Sequence, residues 1–179
     1  MKVVIINGTG GAGKDTFVTM CKDVLGAEYI FNVSTVDYVK QVAQFCGWDG
    51  TKTPENRKFL SDLKDILTDW NDIPFKNVCN KIKGQQLLWL ESGKYDKGVV
   101  FIHCREPKEI EKLVREFTTY DATTLLIRRT SAESVGQINH ADNEVLHYAY
   151  DYTIYNDSTL SWLRNEAKVF LEKYLKLDI

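Results

Sequence analysis

The most restrictive stretch of this chain lies near its start, where the β-branched run Val3-Val4-Ile5-Ile6 leads into four glycines within the six positions from Gly8 to Gly13. An unbroken β-branched run suits a strand covered on both faces of a parallel sheet. Gly8 ends it. Beyond the glycines, apolar residues fall at Phe17, Met20, Cys21, Val24 and Leu25, offsets of 0, 3, 4, 7 and 8 that trace one helical face. The predicted order is strand, glycine-rich loop, helix.

Further along, Glu28 to Val33 reads as a second strand, and Val36, Val39, Ala43 and Cys46 mark a helix that stops at Gly47. Thr53-Pro54 places a cap before a proline at the first helical position, leading into Phe59, Leu63, Ile66, Leu67 and Trp70 on one stripe. Another helical stretch runs from Pro74 towards Ser92, with Gly84 as its weak point. Gly98 to Ile102 and Thr123 to Ile127 read as the third and fourth strands, with a helix after Pro107 carrying Ile110, Leu113, Val114 and Phe117 between them. Tyr152 to Tyr155 is a fifth strand, and Leu160, Leu163, Ala167, Phe170 and Tyr174 line a closing helix. Alternation of this kind predicts an α/β fold, a parallel sheet covered on both faces with ligands at the carboxyl ends of its strands. Two stretches interrupt it, a helical block from Thr35 to Gly93 and a polar stretch from Thr130 to Asn143. Both are candidate mobile covers.

A length of 179 residues suits a single domain, with roughly 70% of the unfolded surface buried around one core. Lys and Arg number 23 against 25 Asp and Glu, which supplies no general field for a nucleic acid backbone or an anionic membrane. Neither partner is expected. Cys21, Cys46, Cys79 and Cys104 include no C-x-x-C pair, so zinc and a redox dithiol are not suggested. The opening apolar run is too short for a signal segment, and no later stretch has the length of a membrane span. A cytoplasmic protein is expected.

Gly8-Thr9-Gly10-Gly11-Ala12-Gly13-Lys14 fits G-x-x-x-x-G-K, the pattern of a phosphate-binding loop, in the strand-to-helix setting the pattern requires. Glycines let successive N–H groups turn towards phosphate oxygens, the helix adds its positive N-terminal end, and Lys14 brings a mobile charge to the outer phosphates. Gly8, Gly10 and Gly13 also satisfy the dinucleotide fingerprint G-x-G-x-x-G. A lysine has no role in that turn, however, and Asn32-Val33-Ser34 stand where a ribose-binding carboxylate would be wanted; Glu28 falls at the wrong end of its strand. A triphosphate is the better reading. Asp15 occupies the place of the usual magnesium-binding hydroxyl and Thr16 follows it. Either can supply oxygen to magnesium, and Asp15 can equally be a first-turn carboxylate favoured by the helix dipole.

Transfer of a phosphoryl group needs positive charge around the moving group more than it needs an acid or base. Arg105 follows the third strand, while Arg128 and Arg129 follow the fourth, so all three arginines fall at the ligand-binding edge. Arg57, in the first turns of a helix, can grip an acceptor phosphate or remain a solvated charge.

The chain resembles the nucleoside monophosphate kinases, most closely those of phage type acting on deoxynucleoside monophosphates. The matching pieces are Gly13-Lys14-Asp15-Thr16, the stretch Ser34-Thr35-Val36-Asp37-Tyr38-Val39-Lys40, Arg105 within Cys104-Arg105-Glu106-Pro107-Lys108-Glu109, and Asp151 to Leu160. This resemblance implies a three-layer P-loop NTPase fold with a five-stranded parallel sheet, a helical acceptor-binding insertion at 35–93 and a short lid at 129–143. It further implies ATP as donor with magnesium, held by Gly8, Gly10, Gly11, Ala12, Gly13, Lys14, Asp15 and Thr16. Arg128 would lie over the adenine and Asn156 beside it. Asp37, Lys40, Arg57 and Arg105 would face the monophosphate, with Lys14, Arg105 and Arg129 serving the transfer itself. Two departures stand out: His103 replaces an aspartate common at the end of the third strand, and the lid carries His140-Ala141-Asp142 in place of further arginines.

Three functions follow from these readings. A monophosphate acceptor needs no general base. A hydroxyl-bearing sugar or coenzyme precursor would need one, for which Asp37 is best placed. A nucleotide-binding module without turnover is the third.

Overall fold

The computed structural model describes residues 1–134 and 145–179. The elements in chain order are β1 (Lys2–Asn7), α1 (Lys14–Leu25), β2 (Ile30–Ser34), α2 (Asp37–Phe45), α3 (Pro54–Asn71), α4 (Ile73–Glu91), β3 (Val99–His103), α5 (Pro107–Glu116), β4 (Thr123–Arg128), α6 (Thr130–Ser134), β5 (Tyr152–Tyr155) and α7 (Leu160–Val169). They form two compact units: one comprises Met1–Asn32 and Trp89–Ile179, the other Val33–Leu88.

The first unit is built on a five-stranded sheet of order β2-β3-β1-β4-β5. β1 pairs in parallel with β3 through Lys2↔Val99 to Ile6↔His103 and with β4 through Val4↔Thr123 to Asn7↔Leu126, and β4 pairs in parallel with β5. Parallel register brings Asn7, His103, Arg128 and Tyr155 to one edge. This is an α/β fold, with the glycine loop leaving the central strand of the sheet.

Strand alternation sends Val4, Ile6, Phe101, Leu125 and Ile127 to one face, where they pack with Phe17, Cys21, Leu163 and Phe170 of α1, α7 and the turn after it. Phe17 meets Phe101 and Phe170 edge-on, with ring centroids 6.4 and 5.8 Å apart. Each buried ring contributes about 1.5–3 kcal/mol, so α1 is held on the sheet by the spacing that predicted it. α5 touches β1 and β4 and buries Ile110 and Leu113, which completes the third layer. The edge strand β5 is fixed by Asp151, whose carboxylate accepts from the N–H and hydroxyl of Thr124 at 2.8 and 2.7 Å.

The second unit comprises α2, α3 and most of α4. Thr53 caps α3 by accepting from Asn56 N–H at 3.2 Å, ahead of Pro54. α4 continues through Gly84 without a break.

The second strand begins at Ile30 and not at Glu28 as its sequence predicts, because Gly26 opens a one-turn 3-10 helix over Ala27–Tyr29, closed by Tyr29 N–H to Gly26 C=O at 3.2 Å. Of the stretch expected to form a lid, Thr130–Ser134 is the helix α6, while His140, Ala141 and Asp142 lie outside the described residues. No described helix is long and apolar enough to cross a membrane.

Candidate phosphate-binding site

The loop between β1 and α1 is shaped by close approaches that exclude side chains at two glycines. A β-carbon on Gly8 would sit on the carbonyl oxygen of Ile127 in β4, and one on Gly13 would sit on the side-chain amide of Asn156 after β5. Gly13 also has φ 99° as the residue preceding α1, a conformation that glycine adopts without penalty. Ala12 N–H closes the turn onto Thr9 C=O at 3.2 Å. Lys14 Nζ lies over the loop, donating to the carbonyls of Gly8 and Thr9 at 2.6 and 3.0 Å. Among the described residues no side chain caps α1 at Gly13, so its first-turn N–H groups and helix dipole are directed at the loop, the usual arrangement for holding an anion.

A cleft of about 390 Å³ opens beside the loop. Gly11, Gly13, Lys14, Asp15 and Thr16 line one side, with Arg129, Asn156, Ser158 and Leu160 on the other. Asn156 is held in place twice: its N–H donates to Arg128 C=O at 2.7 Å and its side-chain amide to Ala12 C=O at 2.9 Å. Ser158 and Leu160 are not among the site residues read from the sequence, although both fall in the Asp151 to Leu160 stretch, and Leu160, expected on the inner face of the closing helix, lines the cleft instead.

Arg128 is not among the residues that line this cleft. Its guanidinium donates to both carboxylate oxygens of Glu133 at 2.9 and 2.7 Å, and lies 5.5 Å from the ring centroid of Tyr155, its register partner on β5. That fork holds the Glu133 carboxyl below its ordinary value and raises the guanidinium further.

At the end of β3, His103 Nε2 is 2.9 Å from Asn32 Oδ1 and 3.7 Å from Asp15 Oδ1. The Arg105 side chain is exposed, and its carbonyl accepts from the side-chain amide of Asn7 at 3.1 Å. Sequence reasoning passes over Asn7, whose type at the end of a buried strand is the available signal.

The remaining candidates belong to the second unit. Asp37 accepts from Ser34 N–H at 2.8 Å at the start of α2, the arrangement of a helix-start turn. Lys40 and Arg57 are exposed, and Arg57 Nε donates to Lys52 C=O at 3.2 Å. Thus Lys14, Asp15, Thr16, Arg129 and Asn156 share one cleft, Arg105 stands at the same sheet edge, and Asp37, Lys40 and Arg57 lie on α2 and α3.

These residues fit a triphosphate. Glycine at Gly8 and Gly13 lets the loop lie directly against β4 and Asn156, and Thr9 Oγ1 is buried without a hydrogen-bond partner among the described residues. They also fit magnesium, which commonly takes one or two protein oxygens and completes its shell with phosphate and water. Asp15 and Thr16 both line the cleft, and no described group of three or more His, Cys, Asp and Glu forms a dedicated metal cage.

No protein-family model and no curated protein sequence matches the chain. Among solved structures it is similar to a cysteine-to-alanine mutant of the Mycobacterium tuberculosis APS kinase CysC, at 15% identity and a TM-score of 0.44 over 96% of this chain and 97% of that one. So remote a likeness says nothing about activity or acceptor.

Proposed function

We propose that this protein is an ATP-dependent kinase of a small acceptor, and that the acceptor is a nucleoside monophosphate. The observation that carries the reading is the loop itself: a glycine cradle too tight for side chains, crossed by Lys14 and opening onto a cleft that Arg129 lines. In this reading the loop amides and the start of α1 bind the donor phosphates, and Lys14 and Arg129 balance the charge that spreads over the moving group. Magnesium, when bound, adds Lewis-acid charge neutralisation at the same phosphates, with Asp15 and Thr16 as its protein oxygens.

Arg128 and Asn156 flank the donor base. Arg105, Asp37, Lys40 and Arg57 are assigned to the acceptor phosphate. An acceptor that is already anionic requires no general base. Asp37 suits the role of helix-start acceptor better than that of base, since its carboxylate takes the N–H of Ser34.

The test is ADP production, followed by a coupled assay, across a panel of nucleoside monophosphates, sugars and phosphorylated metabolites. Turnover stimulated by a monophosphate is the expected result. Turnover with hydroxyl acceptors alone would replace the acceptor class, and tight ATP binding with no stimulated turnover would leave a binding module.

A further inference from the structure

Asn7 closes β1 and is fully buried. Its side chain makes three hydrogen bonds to three separate segments. The oxygen accepts Gly8 N–H at 2.8 Å, and the nitrogen donates to Arg105 C=O at 3.1 Å and to the hydroxyl oxygen of Tyr150 at 2.7 Å. The amide orientation is fixed by its partners, because an N–H can only donate and a carbonyl can only accept. Asparagine is therefore required in kind: an aspartate would lose both donors, and an apolar residue would strand all three partners in a buried setting.

The segments joined in this way are the ones on which the proposed transfer depends. Gly8 opens the phosphate-binding loop, Arg105 belongs to the turn after β3, and Tyr150 leads the chain back into β5. Cys104 N–H donates to Ile6 C=O at 3.3 Å just before the Arg105 turn, so the Asn7 bond is the next link of the same ladder, continued by a side chain where the strands end. Holding the Arg105 carbonyl fixes the peptide plane from which that arginine side chain departs. Burial raises the Tyr150 phenol above its ordinary value, so its hydroxyl stays protonated.

We infer that Asn7 is a positioning residue for phosphoryl transfer: its amide ties the Arg105 turn to the phosphate-binding loop, and the Tyr150 hydroxyl steadies that amide. The inference rests on the kinase reading above. Asn7 itself touches neither reactant. Its effect is on the relative placement of a loop assigned to the donor and an arginine assigned to the acceptor, where small displacements cost large factors in rate.

The experiment compares the parent with Asn7→Ala and Tyr150→Phe. The second removes one hydroxyl, keeps the ring, and carries the test alone if the first does not fold. Folded protein is checked by circular dichroism, affinity for a non-hydrolysable ATP analogue by calorimetry, and kcat and KM with the monophosphate that the panel identifies. The expected result is a kcat lower by about tenfold or more in Asn7→Ala and by about threefold or more in Tyr150→Phe, with analogue affinity within about threefold of the parent. A purely structural role would lower the melting temperature and leave kcat of the folded protein at the parental value, which overturns the inference while leaving the kinase reading intact. A parent with no turnover on any acceptor overturns both.

Discussion

The side-chain amide of Asn156 donates to the carbonyl of Ala12 at 2.9 Å, joining the turn after β5 to the middle of the glycine loop. Its neighbour Gly13 comes so close that a β-carbon there would displace the same amide. The glycine loop is thus braced from two sides, by β4 behind Gly8 and by Asn156 beside Gly13.

Gly13→Ala is predicted to destabilise the protein, because φ 99° in a residue with a β-carbon costs about 1–2 kcal/mol before the displacement of Asn156 is counted. Gly10→Ala is the control: among the described residues, no atom beyond its chain neighbours lies within 4 Å of the point its methyl group would occupy and φ is not positive, so stability should change by about 0.5 kcal/mol or less. Thermal unfolding of the two variants distinguishes them. Equal melting temperatures would contradict the close approach.

Thr9→Val separates stability from binding. The Thr9 hydroxyl is buried and lacks a partner among the described residues, and a polar group in that state costs about 1–3 kcal/mol. The shape-matched valine should therefore leave the ligand-free protein at least as stable as the parent in urea unfolding. If the hydroxyl meets a phosphate, ATP affinity should fall by about three- to tenfold. Loss of stability without any change in affinity would contradict the prediction.

The Arg128–Glu133 pair gives a pH signature. Hydrogen bonds from Arg128 hold the Glu133 carboxyl below its ordinary value of 4.5 in the folded protein. A lowered folded-state value gives stability that is present above the unfolded value and is lost as pH falls through the folded one. The stability difference between the parent and Glu133→Gln should accordingly be level from pH 7 to about 5 and shrink below that. A difference that persists unchanged into strong acid would show that the fork contributes no charge-dependent stability.

Much of the sheet-bearing unit is readable in the chain because periodicity and burial agree there, whereas Ile66 and Trp70 of the stripe predicted for α3, and Leu160 of the closing helix, are exposed. Val3 to Ile6 forms the central strand and Phe17, Cys21 and Leu25 the inner face of α1, since the same spacing that marks each element also faces the core. Strand order is not readable in this way, because pairing β1 between β3 and β4 is decided by tertiary packing. The start of the second strand escapes a reading by propensity because a turn at Gly26 outweighs the extended preference of the residues after it. In the site, the glycine pattern locates the loop, and its residues share a cleft with Arg129 and Asn156. The capture of Arg128 by Glu133 is hidden, since it depends on α6 folding back towards the strand end. Asn7 is hidden for a different reason: its partners Arg105 and Tyr150 are 98 and 143 residues away in sequence.

Arg105→Ala should act on rate more than on donor binding, because the exposed arginine lies outside the residues that line the loop cleft. A fall in kcat of about 100-fold with ATP affinity within about threefold is predicted, as for loss of one group that stabilises developing charge. Steady-state kinetics beside calorimetry will show the split. Parental kcat would remove Arg105 from the transfer step.

The most direct measurement is calorimetric titration of ATP, with and without magnesium, into the parent protein and into Lys14→Ala. Lys14 spans the loop through the carbonyls of Gly8 and Thr9, and its substitution leaves the buried core untouched. The account predicts a saturable heat for the parent, and for the folded variant the loss of most of that affinity. A folded parent that takes up no ATP under either condition, or a variant that binds as tightly as the parent, would contradict it.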